Sequence, residues 1–361
     1  MDPTPKQPLR IGLAGVGAMG EKHLQKLIAL QSSHVSVAGL FDIQKEKADH
    51  MSRTYSVPHL HDLNTLLHEV DALCIASSTQ SHAQITQQAL EAGVHVLVEK
   101  PVGGKPDEIE KLVALAREKQ CVFQVGFLER LRLSHMIHNA PTTLWNLVGL
   151  PFAMETVRMA PKPGRENLSI LWDLLIHDLD LALSLFGPQV THMQAWGWFP
   201  PGASYTHPLR LTVSLDFPQG THARCVASLG EDRKRECVLY HSWGRQTFNL
   251  AQNSLHTSLF AVNADGIPTL QHPTELAHQF DFDALYEQSK QWLASMQSRT
   301  PPVCTGKQAY DVCLLAHQIE NHLARQKTPP SAPLLHRKAM TGELAPLGAR
   351  SDDAPEVPGA L

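Results

Sequence analysis

The chain has 361 residues, 43% of them hydrophobic and 18% charged, and a formal net charge of −4. That apolar fraction can build buried cores and excludes a wholly disordered chain, and the length suggests about two domains of ~150 residues. No apolar run reaches the ~18 residues needed to cross a membrane, and the mild negative charge supplies no broad basic field, so neither a membrane nor a nucleic acid is expected as a partner.

Residues 1–8, rich in proline, read as a flexible N-terminus and not as a secretory signal. Between residues 9 and 127 short apolar runs alternate with helical patterns. Strands are predicted over 9–14, 35–41, 72–76, 94–98 and 121–125, and helices over 19–30, 85–92 and 107–119. Such alternation favours a parallel sheet with right-handed crossovers. After about residue 128 the pattern changes. An apolar helical segment at 169–186 precedes strand-like runs at 209–217, 222–229 and 236–243, and helical patterns at 282–296 and 307–325 close this half. Strands without intervening helices favour an antiparallel sheet. Residues 328–361, rich in Pro, Ala and charge, read as a disordered tail. The fold class is therefore α/β: a parallel-sheet domain over 9–127 and a second α+β domain over 128–327 with an open, mostly antiparallel sheet. The open sheet leaves a face to cover, which favours a homo-oligomer, a dimer or tetramer. The six cysteines, Cys74, Cys121, Cys225, Cys237, Cys304 and Cys313, form no C-x-x-C pair and read as reduced thiols of a cytoplasmic protein.

Three segments carry chemistry. The first is Gly15-Val16-Gly17-Ala18-Met19-Gly20, a G-x-G-x-x-G between a predicted strand and a predicted helix. In that context Gly15 allows a tight turn, Gly17 admits a pyrophosphate to the backbone, and Gly20 lets helix and strand pack closely. Unpaired N–H groups and the helix dipole favour the anion. Asp42 ends the second strand, 22 residues after Gly20. Its carboxylate suits ribose hydroxyls and repels a 2′-phosphate, which points to NAD; Lys45 and Lys47 nearby keep NADP as the alternative. The second segment is Glu99-Lys100-Pro101, at the carboxyl end of the strand 94–98, where ligands of doubly wound sheets sit. Lys100 can donate to a substrate oxygen or take part in proton transfer, or it is simply a solvated lysine at a strand end. The third is the helix at 169–186. At ~100° per residue Asp173, His177, Asp180 and Ser184 fall at about 0°, 40°, 340° and 20°, one narrow polar stripe on an apolar helix, with Asp178 off it. Asp173 beside His177 suits a general base, while the plainer reading is a solvent-facing stripe on a packing helix. No third or fourth ligand stands at a recognisable spacing, so no metal site is expected.

Taken together, these segments resemble the glucose–fructose oxidoreductase/inositol dehydrogenase (Gfo/Idh/MocA) family over about residues 9–325. The run from Ser77 to His82, the segment from Gly126 to Arg130 and Thr305-Gly306-Lys307-Gln308-Ala309 belong to the same resemblance. It implies a Rossmann domain binding NAD, with NADP as the alternative, through Gly15, Gly17, Ala18, Met19, Gly20, Asp42, Ser77, Ser78, Thr79, His82, Glu99 and Lys100. It implies hydride transfer at a sugar, polyol or nucleotide-linked sugar, with Lys100, Asp173 and His177 meeting at the reacting carbon. Arg130, Arg158, Lys162, Arg165 and Asp180 are candidate substrate residues, the stretch 158–165 being read as a basic loop for a phosphate or carboxylate. Ser78 stands where many members carry proline. Rival readings are an NAD(P)-sensing regulatory protein without turnover, an NAD-using glycosidase or lyase of the same family, and a reductase of a non-sugar substrate such as a pyrrole pigment.

Overall fold

The apolar runs of the first half form a five-stranded parallel sheet from β1 (Leu9–Ala14), β2 (Val35–Phe41), β3 (Ala72–Ile75), β4 (His95–Val98) and β5 (Phe123–Val125), in the order β2-β1-β3-β4-β5. β3 is buried along its whole length, as a central strand covered on both faces must be. The helices are α1 (Ala18–Ala29), α2 (Lys45–Tyr55), α3 (Leu63–Glu69), α4 (Thr79–Glu91) and α5 (Pro106–Glu118). The strand order reverses between β1 and β3, so the turns after these strands open onto one crevice. The structure is a computed structural model, and it describes residues 8–140, 148–162, 168–199, 207–262, 268–270 and 276–325. Residues 1–7, Arg165 and the tail expected over 328–361 lie outside the described residues.

After α6 (Leu128–Asn139) the chain builds a nine-stranded sheet. It comprises β6 (Pro151–Ala160), β7 (His192–Trp198), β8 (Arg210–Asp216), β9 (His222–Leu229), β10 (Lys234–His241), β11 (Gly244–Asn249), β12 (Ser254–Val262), β13 (Pro268–Leu270) and β14 (Leu276–Gln279). The order is β13-β12-β11-β10-β6-β9-β8-β7, with β14 beside β12. The β6–β9 pair is parallel and the other described pairs are antiparallel. The apolar helical segment lies against this sheet, and Leu175, Leu179, Leu211, Val213, Ala223 and Leu239 share its core.

Two differences from the expected elements matter for the site. The segment expected as one α-helix over 169–186 is a π-helical turn at Leu171–Leu175 followed by α7 (Ile176–Phe186). The last helices, α8 (Ala284–Ser298) and α9 (Gly306–Arg325), return to the first sheet. Trp292 and Leu293 of α8 pack in the cluster formed by β1, β2 and α1, Lys26 Nζ meets Asp283 Oδ2 at 2.8 Å, and Val125 N donates to Cys304 O at 3.0 Å. The second half of the chain therefore closes over the first sheet as well as extending from it.

Candidate active site

The glycine loop has the shape its sequence requires. Gly15 has φ +94°, and a Cβ there would lie 2.4 Å from Ser77 N; a Cβ at Gly20 would lie 2.0 Å from Gly15 O. Both positions therefore exclude a side chain, while a Cβ on Gly17 would meet nothing within 4 Å. Gly17 begins α1 without a side-chain cap, so the first-turn N–H groups around Ala18 and Met19 have no capping side chain. An uncapped helix start behind a bare glycine fits a pyrophosphate. Asp42 shapes the same loop: Oδ2 accepts from Val16 N at 2.8 Å and Oδ1 from Gln44 N at 2.8 Å. It lines a cavity of about 460 Å³ with Phe41, Ile43, Lys45, His59 and His61, so an acid, a lysine and two histidines face the same space.

Ser77 and Ser78 form the turn after β3. Both hydroxyls meet Ser81 Oγ, at 2.8 and 3.2 Å, and Ser78 begins α4, with Thr79 its first residue. Ser78, at this departure from the family pattern, has φ −67°, the angle a proline ring would hold. α4 starts six residues earlier than the predicted helix because its first turns are polar.

Lys100 follows β4 and is 7% exposed. Its Nζ donates to the backbone oxygen of Asp173 at 2.8 Å and lies 4.0 Å from Asp173 Oδ1, so the turn after the first sheet meets the π-helical turn of the second half. π-turns are rare and recur at functional sites. His177 lies one turn further on, half-buried, its ring edge-on to Phe127 with centroids 6.2 Å apart. Trp172 Nε1 donates to Glu320 Oε1 at 2.7 Å, which ties the π-turn to α9.

Glu99 and His82 are placed differently from the cofactor contacts expected of them. His82 is fully buried, with Nδ1 2.8 Å from Pro101 O and Nε2 3.1 Å from Ser77 O. Glu99, also buried, meets His23 Nε2 at 2.9 Å. Burial resists charge on the His23 ring, but the adjacent Cys74 sulfur and the Glu99 carboxylate outweigh it and raise its pKa to about 10. Both side chains are buried supports of the turn, with almost no surface left for a cofactor.

The substrate candidates need a larger correction. Arg158 is not in a loop: it lies within β6, 2% exposed, with Nε and Nη2 2.9 and 3.0 Å from the two carboxylate oxygens of Asp178 and Nη1 3.3 Å from Glu129 Oε1. Arg130 and Asp180 are likewise buried and bidentate, at 3.2 and 2.5 Å. Burial lifts both Asp178 and Asp180 above the usual carboxyl range, and the arginines pull them back only in part. A buried charge must be paired, and these arginine–aspartate pairs meet that need within the fold. Ser184 and Asp180 do not form a common polar face: Ser184 is exposed and bonds Leu181 O, while Asp180 is sealed. Lys162 is exposed at the end of the described segment. Sequence reasoning missed Glu129, Asp178 and His23. The signal for Asp178 was a charge on the apolar face of a helix, which demands a buried partner.

Comparison with known proteins agrees with this fold. Residues 9–127 match the family model described as oxidoreductase family, NAD-binding Rossmann fold. The UDP-N-acetylglucosamine 3-dehydrogenase of Acidithiobacillus ferrooxidans is 29% identical over 317 residues, covering 86% of this chain and 96% of that protein. A solved structure of that enzyme superposes with a TM-score of 0.75 at 26% identity, covering 87% of this chain and 97% of the other. The myo-inositol 2-dehydrogenase of Thermotoga maritima is 23% identical over 344 residues, 89% of this chain and 98% of that protein.

Proposed function

We propose that the chain is a member of the Gfo/Idh/MocA family of NAD-binding oxidoreductases and that it moves a hydride between a nicotinamide dinucleotide and a carbinol carbon of a nucleotide-linked amino sugar in the crevice at Lys100. The observation that carries this reading is the approach of Lys100 Nζ to Asp173 O at 2.8 Å, beyond the carboxyl ends of the strands that bear the glycine loop. The likeness to a UDP-sugar dehydrogenase over nearly its whole length supports the substrate class.

The α1 N-terminus, with Gly15, Gly17, Ala18, Met19 and Gly20, would hold the pyrophosphate, and Asp42 would accept from the adenosine ribose hydroxyls. Asp42 repels a 2′-phosphate, so NAD is the preferred cofactor, with Lys45 and His61 the groups that would tolerate NADP. The bound nicotinamide supplies the hydride acceptor. His177 takes the hydroxyl proton, and Phe127 holds its ring edge-on. Lys100 donates to the same oxygen and steadies the charge that develops there, while Asp173 docks the lysine and balances its charge. The test is a panel of UDP-N-acetylglucosamine, UDP-glucose, glucose and myo-inositol with NAD and with NADP, followed by NADH or NADPH absorbance. Turnover is expected with the UDP-amino sugar and NAD. Reduction of neither cofactor by any of the four, in enzyme that binds NADH, would contradict the reading.

A further inference from the structure

Two buried histidines grip the residues on either side of Lys100. His23 belongs to α1, the helix that starts at the glycine loop, and its Nε2 lies 2.9 Å from Glu99 Oε1. His82 belongs to α4, the helix that starts at the serine turn, and its Nδ1 lies 2.8 Å from Pro101 O. Its second nitrogen lies 3.1 Å from Ser77 O, so one ring spans the turns after β3 and β4. Each ring is at most 1% exposed. Lys100 is the residue between Glu99 and Pro101. We propose that His23 and His82 are positioning residues that fix the backbone of Lys100 from its two sides and so set where its amine stands over the crevice; this rests on the reading of Lys100 as a substrate-facing group.

The physical need follows from the lysine itself. Its four-carbon stem is flexible, and its ammonium is a point charge without the planar fork that lets arginine align itself. The direction of the amine is then set by its root and by the carbonyl on which it docks. A site of this kind has to hold its geometry within about 0.5 Å, and a misplacement of ~1 Å costs on the order of 10²-fold in rate. The root is braced by two side chains from two different helices, and the far end docks on Asp173 O. A neutral imidazole carries one N–H and satisfies one of the two carbonyls facing His82 at a time, whereas the imidazolium satisfies both. Histidine is thus chosen here over an apolar ring of the same shape for its donors.

The test uses the full chain with His23→Phe and His82→Phe, each with and without Lys100→Ala, and His23→Gln and His82→Gln as milder variants. Acetic anhydride labelling of the NADH-bound protein, read by mass spectrometry, gives the reactivity of Lys100 relative to the exposed Lys105, and NAD with UDP-N-acetylglucosamine gives single-turnover rates. Each Phe variant is expected to lower the rate by about tenfold or more with NADH affinity within about threefold, and to raise relative Lys100 labelling by about threefold or more. The Gln variants, which keep a donor, recover part of the rate. In the Lys100→Ala background the second substitution costs less than about twofold, because the group being positioned is gone. Leu66→Ala, a core change away from the turn, is the control for general loosening and leaves Lys100 labelling unchanged. Unchanged labelling in both Phe variants, or equal rate losses with and without Lys100, would overturn the proposal. A wild-type rate in Lys100→Ala alone would instead overturn the reading of Lys100, with the labelling still deciding whether the histidines position it.

Discussion

The helical stretch from Leu171 to Phe186 carries three buried aspartates with two different fates. Asp178 and Asp180 each face an arginine fork, Arg158 and Arg130, at two-point hydrogen-bond distance, and are sealed in the core. Asp173 faces a lysine, with the closest oxygen of its side chain 4.0 Å from Nζ and the tighter contact made by its backbone oxygen. The difference teaches how to tell a charge used by the fold from one held for chemistry. A bidentate, fully buried pair satisfies its groups within the fold. A lysine docked on a carbonyl, with a carboxylate 4.0 Å away, has no two-point partner of that kind, and its ammonium carries three donors. The π-turn marks the border: Asp173 lies inside it, and Asp178 and Asp180 lie beyond it on regular helix.

Substitutions on the two sides of that border should separate activity from stability. Lys100→Ala should lower turnover by about 10²–10³-fold, the usual cost of one donor aimed at developing charge, and leave the melting temperature nearly unchanged. Steady-state rates alongside thermal melts check both halves. Arg158→Met should do the reverse. It leaves Asp178 without its two-point partner, while Glu129 keeps Arg132 and Arg235, and costs about 3–5 kcal/mol of stability, whereas adding Asp178→Leu should restore most of it. Denaturant unfolding of the single and double variants measures this; equal instability of the two would erase the contrast. Asp42→Ser should shift the NADP-to-NAD ratio of kcat/KM by about tenfold or more, through loss of the repelling carboxylate.

The smallest effect is in pH. The pKa of His23 is raised to about 10 in the folded chain, so the stability from its contacts with Cys74 and Glu99 is fully present below the unfolded value of 6.5 and is lost as pH rises through about 10. Thermal melts between neutral pH and pH 10 should fall a few degrees further for the wild type than for His23→Gln.

Much of the first domain was legible because central parallel strands are continuous apolar runs and because glycines mark the loop where only glycine fits. The helix Lys45–Tyr55 was not, since Ala48 and Met51 are its only buried residues and the rest of the segment is strongly polar. The second sheet was read only in part. One face of β7 shows Trp196 and Trp198 outward, half exposed, and β6 carries the buried Arg158, so neither strand alternates cleanly between apolar and polar. The meeting of Lys100 with Asp173 could be expected from the family resemblance but not from periodicity, because a π-turn changes the phase that a 3.6-residue repeat assumes. The partners of Asp178 and Asp180 lie 20 and 50 residues away in sequence, on a strand and a helix whose packing no local pattern encodes.

The most direct test of the crevice as the site of hydride transfer is the single-turnover rate of NAD reduction by UDP-N-acetylglucosamine in His177→Ala. Loss of the proton acceptor should slow that step by about 10²–10⁴-fold while NADH binds as tightly as before. A rate equal to that of the unaltered protein would contradict the account.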